Sequence, residues 1–296
     1  MNRNTWILLG LLAVLGGVVV LVFQQPGEQS LTGEEKELLV EIDSASVAGI
    51  VITSPAERVD LKRTGNEWFV DTQRRFRADQ TVVGNLLHQV EELGVNSVVS
   101  ENPEKQSLFQ VDSTGTRIVL QTDEGDSATF VLGKSGPGMA DVYARREGSN
   151  KVVLVDAAIS YTSRRSAKEW RDHSILTIPK EQIRAVGFQY GDTTFALSWV
   201  DSVWMVDNVP VKDWAANSLV STLSDFDADD FLDIPPSPLP RQTATILVAG
   251  TEVRFFQQKG NDQYIVTSST SPHWYRVASW KANQVLKRKK DLLGGI

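Results

Sequence analysis

The chain contains no cysteine in 296 residues. Disulfides, thiol nucleophiles, iron–sulfur ligation and cysteine-type zinc sites are therefore excluded. Histidine is scarce. His88, His173 and His273 are the full complement, and none is expected to have a second His or an acidic residue at a helical metal-binding spacing. Neither a metal nor a cofactor is expected. No G-x-S-x-G and no Ser-x-x-Lys pair marks a serine nucleophile. Positive charge is in deficit, with a formal net charge of -7. Such a chain repels phosphate backbones, so nucleic acid is not an expected partner.

Two segments invite chemistry and decline it. In GKSGPG (133–138) the glycine that a phosphate loop needs five residues before Gly133 is replaced by Ala128. The following Gly136-Pro137-Gly138 forbids the helix whose amides would face phosphate. In DFDADDFLD (225–233) three aspartates stand at calcium-loop spacing. The glycine and glutamate that complete such a loop are Asp230 and Pro236. This run is expected to be a solvated acidic helix end.

One long apolar run exists, from Trp6 to Phe23, without a charge. As a helix at ~1.5 Å per residue it reaches roughly 27 Å, close to the ~30 Å hydrocarbon core. Arg3 precedes it and Glu28, Glu34, Glu35 and Glu37 follow. The positive-inside tendency then puts the N-terminus in the cytoplasm and the rest outside. No small-x-small cleavage site follows, so an uncleaved anchor is expected rather than a signal peptide. Trp6, Leu12, Val19 and Phe23 would face lipid or its interface. The expected address is the bacterial inner membrane, single-pass, with the bulk of the chain periplasmic.

Beyond the anchor the chain says one thing twice. NEWFVD (66–71) and SVWMVD (202–207) share their Trp, Val and Asp at an offset of 136. Leu61, Trp68 and Val70 fall on Leu197, Trp204 and Val206 without a gap. Apolar residues alternate around each, as in half-buried strands, with turn residues between them. A helix pattern follows in both copies, at 78–93 and 211–226, with Asp79 and Asp213 as candidate caps. Four strands and a cationic helix close each copy, the helices spanning AAISYTSRRSAKEWRD and ASWKANQVLKRKKDLL. The six aligned residues are expected to be structural core.

The predicted fold is α+β: an N-terminal transmembrane helix, then two tandem β-β-β-α-β-β-β-β-α repeats with mainly antiparallel sheets. The divisions are 1–24 for the anchor, 25–40 for a juxtamembrane linker, 41–173 for the first repeat and 174–296 for the second. The basic ends of the repeats, Arg171 and Lys287, Arg288, Lys289 and Lys290, are candidate contacts to a partner.

VLGKSGPGMADVYARREGSNKVVLVD (131–156), preceded by the Trp-x-Val and helix unit and followed by WRDHSIL, resembles the bacterial domain family DUF4340. A glycine-containing strand end recurs there, with a Tyr-x-Arg strand (here Tyr143 and Arg145) and a V-x-L-V-D strand (here 152–156). A helix ending in Arg-Asp follows (here Arg171 and Asp172). The chain departs in having LFQVDSTG where the family has G-L-D-x-P. The resemblance implies a single-span membrane protein, encoded in many cases beside ABC transporter permease and auxiliary genes of the gliding-motility type. It carries over no catalytic residues.

A non-enzymatic accessory or scaffold role in an ABC-type transport complex is therefore expected. Membrane lipid is the partner of the anchor, and a permease or auxiliary subunit the partner of the repeats. The alternative is a lipid- or cell-wall-binding module with a cleft between the repeats, and after it a hydrolase.

Overall fold

Alternating apolar residues and two-residue turns make long antiparallel meanders here. In the computed structural model the described residues are 37–72, 75–191, 193–257, 260 and 262–294. The predicted anchor, with Trp6, Leu12, Val19 and Phe23, lies outside them. Among the described residues no helix is long and apolar enough to cross a membrane.

The first copy holds β1 (Val47–Thr53), β2 (Arg58–Thr64), β3 (Glu67–Val70), β4 (Phe76–Arg77), α1 (Gln80–Glu91) and β5 (Ser97–Ser100). It continues with β6 (Thr116–Thr122), β7 (Ser127–Ser135), β8 (Asp141–Arg146), β9 (Val152–Asp156) and α2 (Ala158–Ser163). After β10 (Ser174–Thr177) the second copy holds β11 (Ala185–Tyr190), β12 (Thr193–Val200), β13 (Val203–Val206), β14 (Val209–Pro210) and α3 (Asp213–Ser224). Then come β15 (Asp225–Asp227), β16 (Asp230–Leu232), β17 (Gln242–Val248), β18 (Thr251–Gln257), β19 (Gln263–Ser268) and β20 (Trp274–Ala278). Short helices α4 (Ser279–Val285) and α5 (Lys289–Leu293) end the description.

The strands sort into two nine-stranded sheets and a two-stranded one, β10-β15. Of the nine-stranded sheets one runs β4-β3-β2-β1-β6-β7-β8-β9-β5 and the other β14-β13-β12-β11-β17-β18-β19-β20-β16. Element for element the two orders coincide, and every pairing is antiparallel. The registers coincide too. Val70 faces Leu61, which faces Ile50, which faces Leu120. Val206, Leu197, Val186 and Val248 form the same row in the second sheet. All eight side chains are buried. Such cross-strand rows are the packing unit of a sheet.

Helix α1 covers its sheet with Val83, Leu86 and Val90. Asp79 caps it, accepting from the amides of Thr81 and Val82. Gln80 fastens it to β3, accepting from the Trp68 amide and donating to the Trp68 carbonyl. The counterpart α3 buries Ala216, Leu219, Val220 and Leu223.

Several expectations are corrected. Each copy has nine strands in its sheet, not seven. The extra ones are β4 and β14, two residues each, and the edge strands β5 and β16. The acidic run is no helix end: it folds as β15 and β16. Asp213 does not cap α3; it is the first helical residue, and Lys212 stands at the cap without a side-chain bond. The expected closing helices are short. The first is helical only over Ala158–Ser163, and the second breaks between Val285 and Lys289.

The run that carries the family resemblance has a structural task. Gly133 lies so close to the preceding loop that a Cβ there would sit 2.1 Å from the Phe109 carbonyl oxygen. Arg145 donates from Nε to the Val111 carbonyl (2.9 Å) and from Nη1 to that of Ser149 (3.1 Å). Tyr143 packs on Phe109 with ring centres 4.7 Å apart. Glycine, tyrosine and arginine together seat the 106–115 loop on β7 and β8. Gly133→Ala is therefore expected to destabilise the fold by about 2 kcal/mol or more. Gly84→Ala, on the exposed side of α1 with nothing within 4 Å, should stabilise it by about 0.5–1 kcal/mol. Equilibrium urea unfolding measures both.

Candidate functional site

The segment KEWRDHS (168–174) connects the copies and binds to each by its backbone. Towards the first copy, Asp79 N donates to the Trp170 carbonyl (2.9 Å) and Asp172 N to that of Arg77 (2.8 Å). These bonds flank an antiparallel bridge between Ala78 and Arg171. Towards the second copy, Ala228 N donates to the His173 carbonyl (2.8 Å), and β10 pairs with β15.

Side chains close the seam. Arg171 is only 7% exposed. Its guanidinium carbon lies 3.8 Å from the Phe76 ring centre and 5.4 Å from that of Phe231. Those two rings meet edge to face at 5.1 Å. Arg171 Nη1 donates to Asp233 Oδ1 at 3.2 Å. Phe76 belongs to β4 and Phe231 to β16, so one cation joins an edge strand of each sheet. Lys168 adds an ion pair to Asp230 at 3.2 Å.

Beside this seam opens a cleft of about 350 Å³. Phe69, Arg75 and Arg77 from the first copy line it together with Ser271, His273 and Tyr275 from the second. Asp172 of the connecting segment lines it too. The His273 ring stacks on Phe76 with centres 4.3 Å apart. Tyr275 Oη and Ser271 Oγ are 2.7 Å apart, and burial pushes the Tyr275 phenol up. Arg77 is held by Asp172 and by Glu67 (3.1 Å). Arg75 stacks over Phe69 at 3.8 Å and donates to Thr64 Oγ1. A larger open groove of about 800 Å³ runs along the proline-rich loop 236–241. Its walls are mainly that loop itself, whereas the seam cleft gathers charged and hydroxyl groups from both copies.

The residues singled out in the sequence lie elsewhere. Leu61, Trp68, Val70, Leu197, Trp204 and Val206 are buried in their sheets. Arg171, expected at the surface, is the buried cation of the seam. At the C-terminal end Arg288 lies 3.6 Å over Tyr190, and Tyr190 Oη donates to the Lys287 carbonyl at 2.7 Å. Lys289 pairs with Asp207, while Lys290 is exposed. Two of the four basic side chains thus fasten the terminal segment onto the second sheet. His88 does have an acidic neighbour one helical turn away, with Nε2 3.4 Å from Glu92 Oε2. Among the described residues no group of three or more His, Asp or Glu could hold a metal ion.

The cleft residues went unnoticed in the sequence. One signal was present: Arg75, Phe76 and Arg77 are consecutive, two cations around an aromatic on an acidic chain.

A family model described as Domain of unknown function (DUF4340) matches residues 68–245. No curated protein and no solved structure matches the chain. The matched span starts at Trp68. It includes Arg75, Arg77, Arg171 and Asp172, and ends before His273 and Tyr275.

The acidic strands beside the seam carry a cost. Burial pushes the Asp227 carboxyl up, and Asp225 pushes it further, with Lys281 opposing. A carboxyl raised by folding adds stability only while protonated in the native state, and loses it as pH rises through the folded value. Asp227→Asn keeps the shape without the charge. The variant should melt above the parent at pH 7, and the difference should shrink as pH falls towards ~4. Thermal unfolding across that range is the check.

Proposed function

The chain belongs to the DUF4340 family, and from that membership we propose that it is a membrane-anchored, non-enzymatic accessory protein of an ABC-type transport complex. The anchor is the apolar run from Trp6 to Phe23, whose partner is membrane lipid. The two repeats stand on the periplasmic side of the bacterial inner membrane and contact a permease or auxiliary subunit. The observation that supports this reading is the seam. Backbone pairing on both sides of Arg171, with the cation packed on Phe76 and near Phe231, joins the two duplicated sheets into one platform. A platform that holds its geometry loses little entropy on docking, which suits a scaffold.

The cleft favours a second reading, a binding module whose ligand sits between the repeats. Ligand sites commonly form where two halves of a protein meet.

One experiment separates the two. Full-length protein carrying an affinity tag is crosslinked in the cell, purified in mild detergent and analysed by mass spectrometry. An ABC permease or auxiliary subunit among the crosslinked species is the expected result. A preparation free of protein partner but carrying lipid or glycan would overturn the accessory role and leave the binding module.

A further inference from the structure

The cleft contains two arginines in unlike situations. Arg77 is consumed, since Asp172 and Glu67 neutralise it. Arg75 has no carboxylate partner among the described residues. Its plane is held by stacking over Phe69, and one donor is spent on Thr64 Oγ1. A guanidinium carries five N–H donors in a rigid fork suited to carboxylate or phosphate. Most of that fork remains unspent, and it is pre-oriented on an aromatic face.

The surroundings define what could take it. Apolar surface is present in the same cavity at Pro272, which is exposed, whereas Phe76 and Ile175 line it from buried positions. The Ser271 and Tyr275 hydroxyls of the second copy are linked to each other at 2.7 Å, and Tyr275 Oη donates to the Ser174 carbonyl at 3.5 Å. With Arg77 neutralised by Asp172 and Glu67, Arg75 is, among the described residues, the cation of the lining left for a ligand, on a chain whose net charge is -7. About 350 Å³ lies at the small end of ligand sites, enough for a ring or a short chain and too little for a whole phospholipid.

We propose that the cleft between the repeats binds a small amphipathic anion, its carboxylate or phosphate group on Arg75 and its apolar body against Pro272. This rests on the binding-module reading and names its ligand class. Arg75 is the specificity residue; the Ser271 and Tyr275 hydroxyls line the same cavity.

The test uses full-length protein in a neutral detergent, with phenylacetate, phenyl phosphate and phenylacetamide as probes in calorimetry and ligand-observed NMR. At least one of the two anions should bind with submillimolar affinity, and the neutral amide should bind about tenfold more weakly or worse. Whichever anion wins distinguishes a carboxylate from a phosphate ligand. Arg75→Gln, at an exposed position, should leave the melting temperature unchanged and weaken the anion about tenfold. Equal binding of all three probes, no anion binding at millimolar concentration, or an unchanged affinity in Arg75→Gln would overturn the proposal. If it falls while a neutral lipid or glycan co-purifies with the protein, the binding-module reading survives it. If it falls and nothing co-purifies, both fail.

Discussion

A buried guanidinium is expensive unless its charge is met. Arg171 is met by two aromatic rings and, through Nη1, by one carboxylate, its Nε being buried without a partner among the described residues, and the two rings come from strands that would otherwise be a weakness. Phe76 sits on the outermost strand of the first sheet, Phe231 on the outermost strand of the second. Open sheet edges invite unwanted pairing. Here the connecting segment pairs with one, and the cation with its two rings fixes the other against it. The position of the cleft, the route of the connection and the relation of the two copies all follow from this contact.

Within each sheet the logic is ordinary burial. The rows Val70–Leu61–Ile50–Leu120 and Val206–Leu197–Val186–Val248 run across the middle strands, and α1 and α3 pack over the sheets. Duplication kept the rows and changed the periphery. In the first copy Trp68 is tied to the helix start through Gln80; in the second, Trp204 meets Trp199 edge to face at 5.2 Å. The backbone bond survives both solutions: Ala78 N donates to the Trp68 carbonyl and Val211 N to that of Trp204. The other outer strands differ as well. Pro210 in β14 offers no amide to a newcomer, while β5 exposes Val98 and Val99.

What could be read from the sequence followed from periodicity. The strands around Leu61 and Leu197 alternate cleanly, and the α1 stripe repeats at helical spacing, so the doubled architecture and its antiparallel character were visible. The missing strands had no such signal. β4 and β14 are two residues long, and β16 hides in an aspartate run that pairing with β20 holds extended. The seam escaped for another reason. Arg171 reads as a surface cation because burial of arginine is unusual, and only the meeting of Phe76 with Phe231, far apart in the chain, makes its position tolerable. The cleft is likewise a property of two distant segments brought together, 69–77 and 271–275.

The seam makes the two copies one cooperative body. Hydrogen exchange of the full-length protein in neutral detergent, followed at increasing urea, reports the opening free energy of each strand. Amides of β1 and β2 and those of β11 and β12 should converge on one free energy with one urea dependence, because neither sheet can open without uncovering the Arg171 seam. Exchange of one sheet at a distinctly lower free energy, with the other still protected, would contradict the account and make the copies independent domains on a tether.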